Sequence, residues 1–310
     1  MKRLYVLGLL IAIGAASVGA RAYQAPVQNA PKVIDVDKIA DRLWVLKGVG
    51  GNTAVFKAMR GIVVVDAKNP GWGQPILDKI KTLTDQPVIM LINTHTHGDH
   101  VSGNVEFPAT VDVVTQANTK ANMQKMDIFK QNNNRGMATR TFTDKMKIGS
   151  GADQIDLYYF GPGHTNGDAI VVFRALRTAH AGDLFQGKSL PLVDRDNGGS
   201  VLHYHETLNK VHAGIKNVET IINGHSNTTT TWADLKTFAD FNQDFLRWAQ
   251  GGLQAGKTPQ QLADEGWKVP EKYTGYAPVV QAPKTPPANP SPFGGLSGRI
   301  QILADEMKKK

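Results

Sequence analysis

The sequence predicts an α/β fold, and three observations carry that expectation. Short apolar runs that read as strands alternate with segments of helical spacing in both halves of the chain. One run, Val88-Ile89-Met90-Leu91-Ile92, leads straight into Thr94-His95-Thr96-His97-Gly98-Asp99-His100. Three later strands each end at a glycine followed by a side chain able to ligate metal: Gly163-His164, Gly182-Asp183 and Gly224-His225. Reactive groups just past strand carboxyl ends are where α/β folds place their chemistry.

The first half reads in order as follows. Residues 1–22 have the pattern of a secretory signal. Lys2 and Arg3 form the positive end, Leu4 to Ala16 is an apolar run too short to span a bilayer, and Ala20-Arg21-Ala22 is the cleavage site. Arg42 to Leu46, Asn52 to Phe56 and Gly61 to Asp66 read as strands. Asn69-Pro70-Gly71 marks a turn, and Gln74 to Leu83 has helical spacing. After the histidine loop come a strand at Val111 to Val114 and a polar helix from Gln116 to Lys130. Residues 131–140 then form a loop expected to flank the pocket.

In the second half, Gln154 to Phe160 alternates into a strand that runs into Gly161-Pro162-Gly163-His164. Ala169 to Phe173 and Arg177 to Ala181 are strands, and residues 185–200 are an irregular segment also expected beside the pocket. His205 to Lys216 reads as helix, and Thr220 to Ile222 as a strand. Trp232 to Trp248 is an amphipathic helix with Thr231 as N-cap, and Thr258-Pro259-Gln260-Gln261 opens a short helix by capping box and N1 proline. The Pro-rich stretch 277–294 reads as a linker or strap, and Leu296 to Met307 as a terminal helix. The expected organisation is a signal segment at 1–22, one large domain at 23–253 and a C-terminal extension at 254–310.

Nine histidines occur in the chain, and three of them fall between residues 95 and 100. His95 and His97 are two apart, so on an extended segment they point the same way. Gly98 breaks regular structure, and Asp99 and His100 face a second point beyond the turn. Such a loop can hold two cations side by side. His180, in the strand before Asp183, reads as structural. His203 and His205 are candidate pocket residues, with a surface role the plainer reading.

The chain contains no cysteine, which excludes disulfides and thiolate ligands. Any metal here is held by His and carboxylate, a donor set that suits Zn2+, with Fe or Mn also possible. Loss of residues 1–22 removes Lys2, Arg3 and Arg21 and no acid, lowering the formal charge from +8 to +5. That balance, partly the terminal Lys308-Lys309-Lys310, gives no nucleic-acid footprint. The expected partner is a small-molecule substrate, with no stable membrane insertion after signal cleavage and a periplasmic or secreted location. Nothing in the sequence specifies an oligomeric state.

The four motifs in this order resemble the metallo-β-lactamase superfamily over roughly residues 38–245. The family pattern HxHxDH matches His95, His97, Asp99 and His100, and its later His, Asp and His match His164, Asp183 and His225. The resemblance implies a four-layer αββα sandwich with the site at one edge of the paired sheets. It also implies two Zn2+ ions per chain, one on His95, His97 and His164 and the other on Asp99, His100 and His225, with Asp183 bridging. Asp99 would also be catalytic, orienting a water or taking its proton. Asp66, Thr94, Thr165 and Asp168 are candidates to orient the ligands from behind.

The implied activity is hydrolysis of a cyclic amide or ester, β-lactamase-like, by attack of metal-bound hydroxide. The chain departs from one large β-lactamase subclass, which has a cysteine where Asp183 stands and a substrate-gripping lysine three residues later, where this chain has Gln186 and, nearby, Lys188. Asp183 instead looks like the bridging aspartate of glyoxalase II and lactonase relatives, so a lactonase or thioesterase is the alternative. A non-enzymatic metal-binding envelope protein is the reading from a different class.

Overall fold

Strands β1 (Val36–Ala40), β2 (Leu43–Leu46), β3 (Thr53–Ala58), β4 (Gly61–Val65), β5 (Val88–Ile92), β6 (Asp112–Gln116) and β7 (Arg140–Phe142) form one sheet in sequential order. This computed structural model describes residues 32–278 and 295–309; the secretory pattern at 1–22 and all but the first two residues of the Pro-rich stretch lie outside the described residues. The first four strands pair antiparallel and the last four parallel, with β4 shared. A second sheet holds β8 (Lys145–Ile148), β9 (Ile155–Tyr158), β10 (Ile170–Phe173), β11 (Thr178–His180), β12 (Thr220–Ile222) and β13 (Thr230–Thr231), in the order β13-β12-β11-β10-β9-β8. Only its β11–β12 pair is parallel.

The period-two pattern of the strands builds the layers. Val63 and Val65 face Val171 and Phe173 across the two sheets, in a core where Phe56 and Phe173 rings lie 5.0 Å apart. Ile62 and Val64 point the other way, onto Ile76 and Ile80 of the helix Gly73–Leu83. In the second sheet Ile170 and Val172 face outward onto Leu208 and Val211 of the helix Tyr204–Gly214, and onto Leu235 and Phe238 of the helix Trp232–Gln254. Helix, sheet, sheet, helix is the αββα sandwich that the motifs imply.

Thr231 caps the long helix as expected. Its hydroxyl accepts from Asp234 N while its own N–H donates to Asp234 Oδ2. The helix runs on to Gln254 because Ala249 and Leu253 still pack on the core. Thr258 and Gln261 form the second expected capping box. The single helix expected from Gln116 to Lys130 is instead two, Ala117–Met123 and Asp127–Gln131. Bonds from Lys125 N to Asn122 O and Met126 N to Met123 O tighten the end of the first. The turn between them lets Met123 and Phe129 bury together. Strands β7 and β8 were not legible: both are sheet edges, and Arg140, Lys145 and Lys147 give them a polar, exposed pattern.

Residues beyond 254 join the outer core. Leu262, Trp267, Tyr273, Ile300 and Leu303 are buried in one cluster with Phe238 and Phe241. Among the described residues no helix is long and apolar enough to cross a membrane.

Candidate metal centre

Strand ends deliver the site. β5 leads into the histidine loop. The parallel pairing of β11 with β12 sets His180 opposite Ile222, which brings Gly182-Asp183 beside Gly224-His225, with Gly224 N donating to Gly182 O at 2.9 Å. A Cβ at Gly224 would overlap Asp183 Oδ1, so only glycine admits the carboxylate there. The loop after β9 carries His164, and Ala169 N donates to Thr94 O at 2.7 Å, tying that loop to the first sheet.

Asp66, just past β4, backs the histidine loop. It adopts a left-handed conformation with φ 65, uncommon for a residue with a side chain. Its Oδ1 accepts from Thr94 N at 2.8 Å, and its Oδ2 accepts from Thr94 Oγ1 at 2.7 Å and from His100 Nδ1 at 2.8 Å. Thr94 Oγ1 also lies 3.0 Å from His95 Nδ1.

The seven side chains singled out in the sequence converge in two groups. His95, His97, His164 and Asp183 form one, and Asp99, His100 and His225 the other; within each, the ligand-type atoms lie within 4.8 Å of one another. His100 Nε2 is 3.3 Å from His225 Nε2 and 3.7 Å from Asp99 Oδ2. Asp183 stands between the groups. Its Oδ2 lies 3.6 Å from His164 Nε2 and 3.2 Å from His225 Nε2, and its Oδ1 lies 3.3 Å from His100 Nε2.

The tautomers follow from the outer partners. His97 Nε2 donates to Asp194 Oδ2 at 2.8 Å, and His164 Nδ1 donates to Leu192 O at 2.7 Å. In their neutral forms, His97 Nδ1 and His164 Nε2 therefore each present a lone pair, and they face each other at 2.8 Å. Two lone pairs at that distance call for a positive charge between them. His95 Nε2 and Asp183 Oδ1 are buried with no hydrogen-bond partner. An all-nitrogen and oxygen donor set with such unpaired atoms fits a cation.

The field of the site distinguishes the two groups. Burial, then His100, holds His95 well below the usual histidine range, and burial with His97 holds His164 at about 4, so both rings are neutral and able to ligate. Burial would also depress His100 and raise Asp183. Their mutual attraction, helped by Asp66 and His225, outweighs it and holds His100 well above and Asp183 well below their ordinary values. Burial would raise Asp99, but the hydrogen bond from His225 and the charge of His100 bring it to about 2.

Asp194 has no sequence motif to mark it. Its only local signal is a turn, in which its Oδ1 accepts from Asp196 N and Asn197 N. Thr165 and Asp168 bond one another, Thr165 N to Asp168 Oδ2 at 2.9 Å and Thr165 Oγ1 to Asp168 Oδ1 at 2.6 Å, locking the turn after His164. His180 is structural: its Nε2 donates to Asn52 O, and its Nδ1 accepts from Gly182 N. His203 pairs with Glu206 on the surface.

A cleft of about 720 Å³ opens over His97, Asp99, Asp183 and His225, walled by Gln186, Lys188, Leu192 and Ser226. The 185–200 segment thus reaches it, as expected. No residue of 131–140 lines it, contrary to expectation; Gly136 packs on Asn104, away from the opening.

The model of the metallo-beta-lactamase superfamily matches residues 46–225. A "Metallo-beta-lactamase type 2" of Elizabethkingia meningoseptica is 23% identical over 241 residues, 73% of this chain and 88% of that one. A "Hydroxyacylglutathione hydrolase" of Nostoc punctiforme is 29% identical over 126 residues, 39% of this chain and 43% of that one. Among solved structures, a metallo-beta-lactamase from Pontibacter korlensis superposes with a TM-score of 0.57 at 21% identity, covering 68% of this chain and 99% of that one. The sec-alkyl sulfatase PisA1 superposes with 0.69 at 12% identity, covering 89% of this chain and 50% of that one; both structural likenesses are of fold. With the family match spanning the histidine loop through His225, over a sandwich of the corresponding layers, the chain belongs to the metallo-β-lactamase superfamily of metal-dependent hydrolases.

Proposed function

We propose that the chain is a periplasmic or secreted dinuclear zinc hydrolase that opens a cyclic amide or ester. The observation that carries this reading is Asp183, a buried carboxylate between two groups of ligand-type atoms, its Oδ2 3.6 Å from His164 Nε2 on one side and 3.2 Å from His225 Nε2 on the other. In this reading His95, His97 and His164 hold one Zn2+ and Asp99, His100 and His225 the other, with Asp183 shared. When bound, such a pair supplies an activated water and polarises an acyl oxygen.

The rest is the work of the chain. Asp99, brought to about 2 and partly open to the cleft, is ionised over any working pH. It is suited to accept a hydrogen bond from water and aim it, rather than to store a proton for long. Asp66, Thr94, Asp194 and the Leu192 carbonyl fix the rings of His100, His95, His97 and His164, so no reorganisation is needed at reaction. Leu192 gives the cleft an apolar wall, and Gln186 and Ser226 offer hydrogen bonds to a polar substrate edge. Lys188 is engaged elsewhere, 2.9 Å from Asp234 and above the Tyr276 ring. Export rests on the secretory pattern of residues 1–22.

Asp183 and the hydroxyacylglutathione hydrolase likeness support a second reading, a lactonase or thioesterase. Metal analysis of the purified protein, followed by nitrocefin, lactone and thioester panels, separates the two. Chelator-sensitive turnover of the β-lactam with zinc rescue supports the first, and turnover of lactone or thioester without β-lactam the second. A metal-free protein as isolated that takes up no zinc ends both.

A further inference from the structure

Arg299 lies on the terminal helix Gly295–Met307 and is only 2% exposed. Among the described residues it has no ion pair, although burial lowers its pKa only to about 10 and leaves it charged at neutral pH. Its Nε donates to Pro191 O at 2.5 Å and its Nη2 to Leu190 O at 3.0 Å, while Nη1 is buried without a partner. A buried cation satisfied only by two carbonyls is a poor way to anchor a helix. An apolar side chain of similar volume would do so without the desolvation cost.

What Arg299 holds is the segment that orients two of the clustered histidines. One residue past Pro191, the Leu192 carbonyl accepts from His164 Nδ1 at 2.7 Å. Two residues further, Asp194 Oδ2 accepts from His97 Nε2, and Asp194 N donates to His164 O at 2.8 Å. The other flank of the segment is also tied down by the C-terminal part of the chain: Leu190 N donates to Ala277 O at 3.2 Å, and Ala277 N to Lys188 O at 3.0 Å. A hydrogen bond of 2.7 Å fails if its acceptor moves by about 1 Å. The carbonyls gripped by Arg299 are the nearest fixed points along the segment.

We infer that Arg299 is a positioning residue: by clamping the Leu190 and Pro191 carbonyls it sets the orientation of His164 and His97, and through them the cation affinity of the three-histidine group. In the group of Asp99, His100 and His225, only His225 touches the loop, its N–H donating to Gln186 O at 3.3 Å ahead of the clamped carbonyls, so that group should be much less sensitive to the clamp. The inference rests on the metal-centre reading.

The test titrates metal-free wild type, Arg299→Met and Arg299→Lys with zinc against a chromophoric competing chelator. The imidazole N–H of His164 is followed by proton NMR in the zinc-loaded forms. Wild type takes two equivalents. Arg299→Met keeps one equivalent at wild-type affinity and binds the other 10- to 100-fold more weakly, the usual effect of losing an outer partner. The His164 N–H signal broadens by exchange with water, and Arg299→Lys, which keeps the charge but not the fork, falls between. Equal loss at both equivalents, or no loss at either, overturns the clamp and leaves Arg299 a structural residue. If Arg299→Met does not fold, Arg299→Lys alone decides by the same criterion. If neither folds, the role is in folding and the inference is wrong. Wild type that takes up no zinc is the separate result that removes the metal-centre reading itself.

Discussion

Asp194 stands 97 residues after His97 in the chain, and its Oδ2 accepts a hydrogen bond from that histidine's Nε2 at 2.8 Å. The contact fixes the tautomer that turns the His97 Nδ1 lone pair toward His164 Nε2, 2.8 Å away. Burial alone would raise the Asp194 carboxyl; the bonds from His97 and from Asn197 outweigh it and keep it ionised. No motif announced it, although it holds a predicted ligand.

Asp194→Asn therefore tests the contact directly. The amide keeps an acceptor for the turn but removes the charge that orients His97. We expect zinc affinity of the three-histidine group to fall about 10- to 100-fold, read by competition titration. Unaltered binding of both equivalents would show that His97 is held well enough by the loop itself.

The candidate ligands were legible in the sequence because they sit in short contiguous motifs, each directly after an apolar strand. Thr94 to His100 carries four of the seven candidates, and glycine marks the other three. What supports them was less legible. Asp194 works through a partner far away in sequence, and Arg299 through backbone carbonyls that no side-chain pattern reveals. Strands β7 and β8 escaped because edge strands with exposed Lys and Arg lack the alternation that marks buried ones. The break near Lys125 escaped because it is made by backbone bonds of i to i−3 type, with no glycine or proline at the spot.

Gly224→Ala should disable the centre without replacing a candidate ligand. The added methyl would overlap Asp183 Oδ1, and the backbone behind it is held by the bond from Gly224 N to Gly182 O. Overpacking of this kind costs about 1–3 kcal/mol, and here Asp183 is the group that must give way. Denaturant unfolding should show that loss, and elemental analysis should show at least one zinc equivalent missing. Full zinc content in a destabilised variant would mean that Asp183 shifts without leaving its place.

Asp168 predicts a pH dependence. Burial pushes its carboxyl up to about 7, against the hydrogen bonds from Thr165 that lower it. A carboxyl whose folded pKa lies above its unfolded value near 4 binds its proton more tightly when folded. Its contribution to stability is then fully present below about pH 4 and is lost as pH rises through 7. Asp168→Asn, neutral throughout, should remove this decline, with a gain at pH 8 over pH 5 of at most about 3 kcal/mol. Denaturant midpoints of wild type and variant across that range measure it. Parallel curves would mean that Thr165 keeps Asp168 ionised.

The final prediction concerns which loop reads the substrate. Both irregular segments, 131–140 and 185–200, looked suited to it in sequence. Only the second lines the cleft, through Gln186, Lys188, Ser189 and Leu192, while Gly136 lies against Asn104, whose Nδ2 donates to the Gly136 carbonyl. Gln186 is the more telling of the wall residues, because Lys188 is already paired with Asp234 and its charge is partly spent there. Gln186→Ala should raise KM for the best substrate about 5- to 30-fold, the effect of about 1–2 kcal/mol from one hydrogen bond, with kcat little changed, since His225 is held by the Gln186 backbone carbonyl, which the substitution keeps. Replacing residues 132–135 by two glycines should leave KM ratios across the nitrocefin, lactone and thioester panel as they were, at some cost in thermal stability. Should the loop replacement reorder the panel while Gln186→Ala does not, substrate choice is governed from the 131–140 side, and the cleft described above is not where the acyl group is recognised.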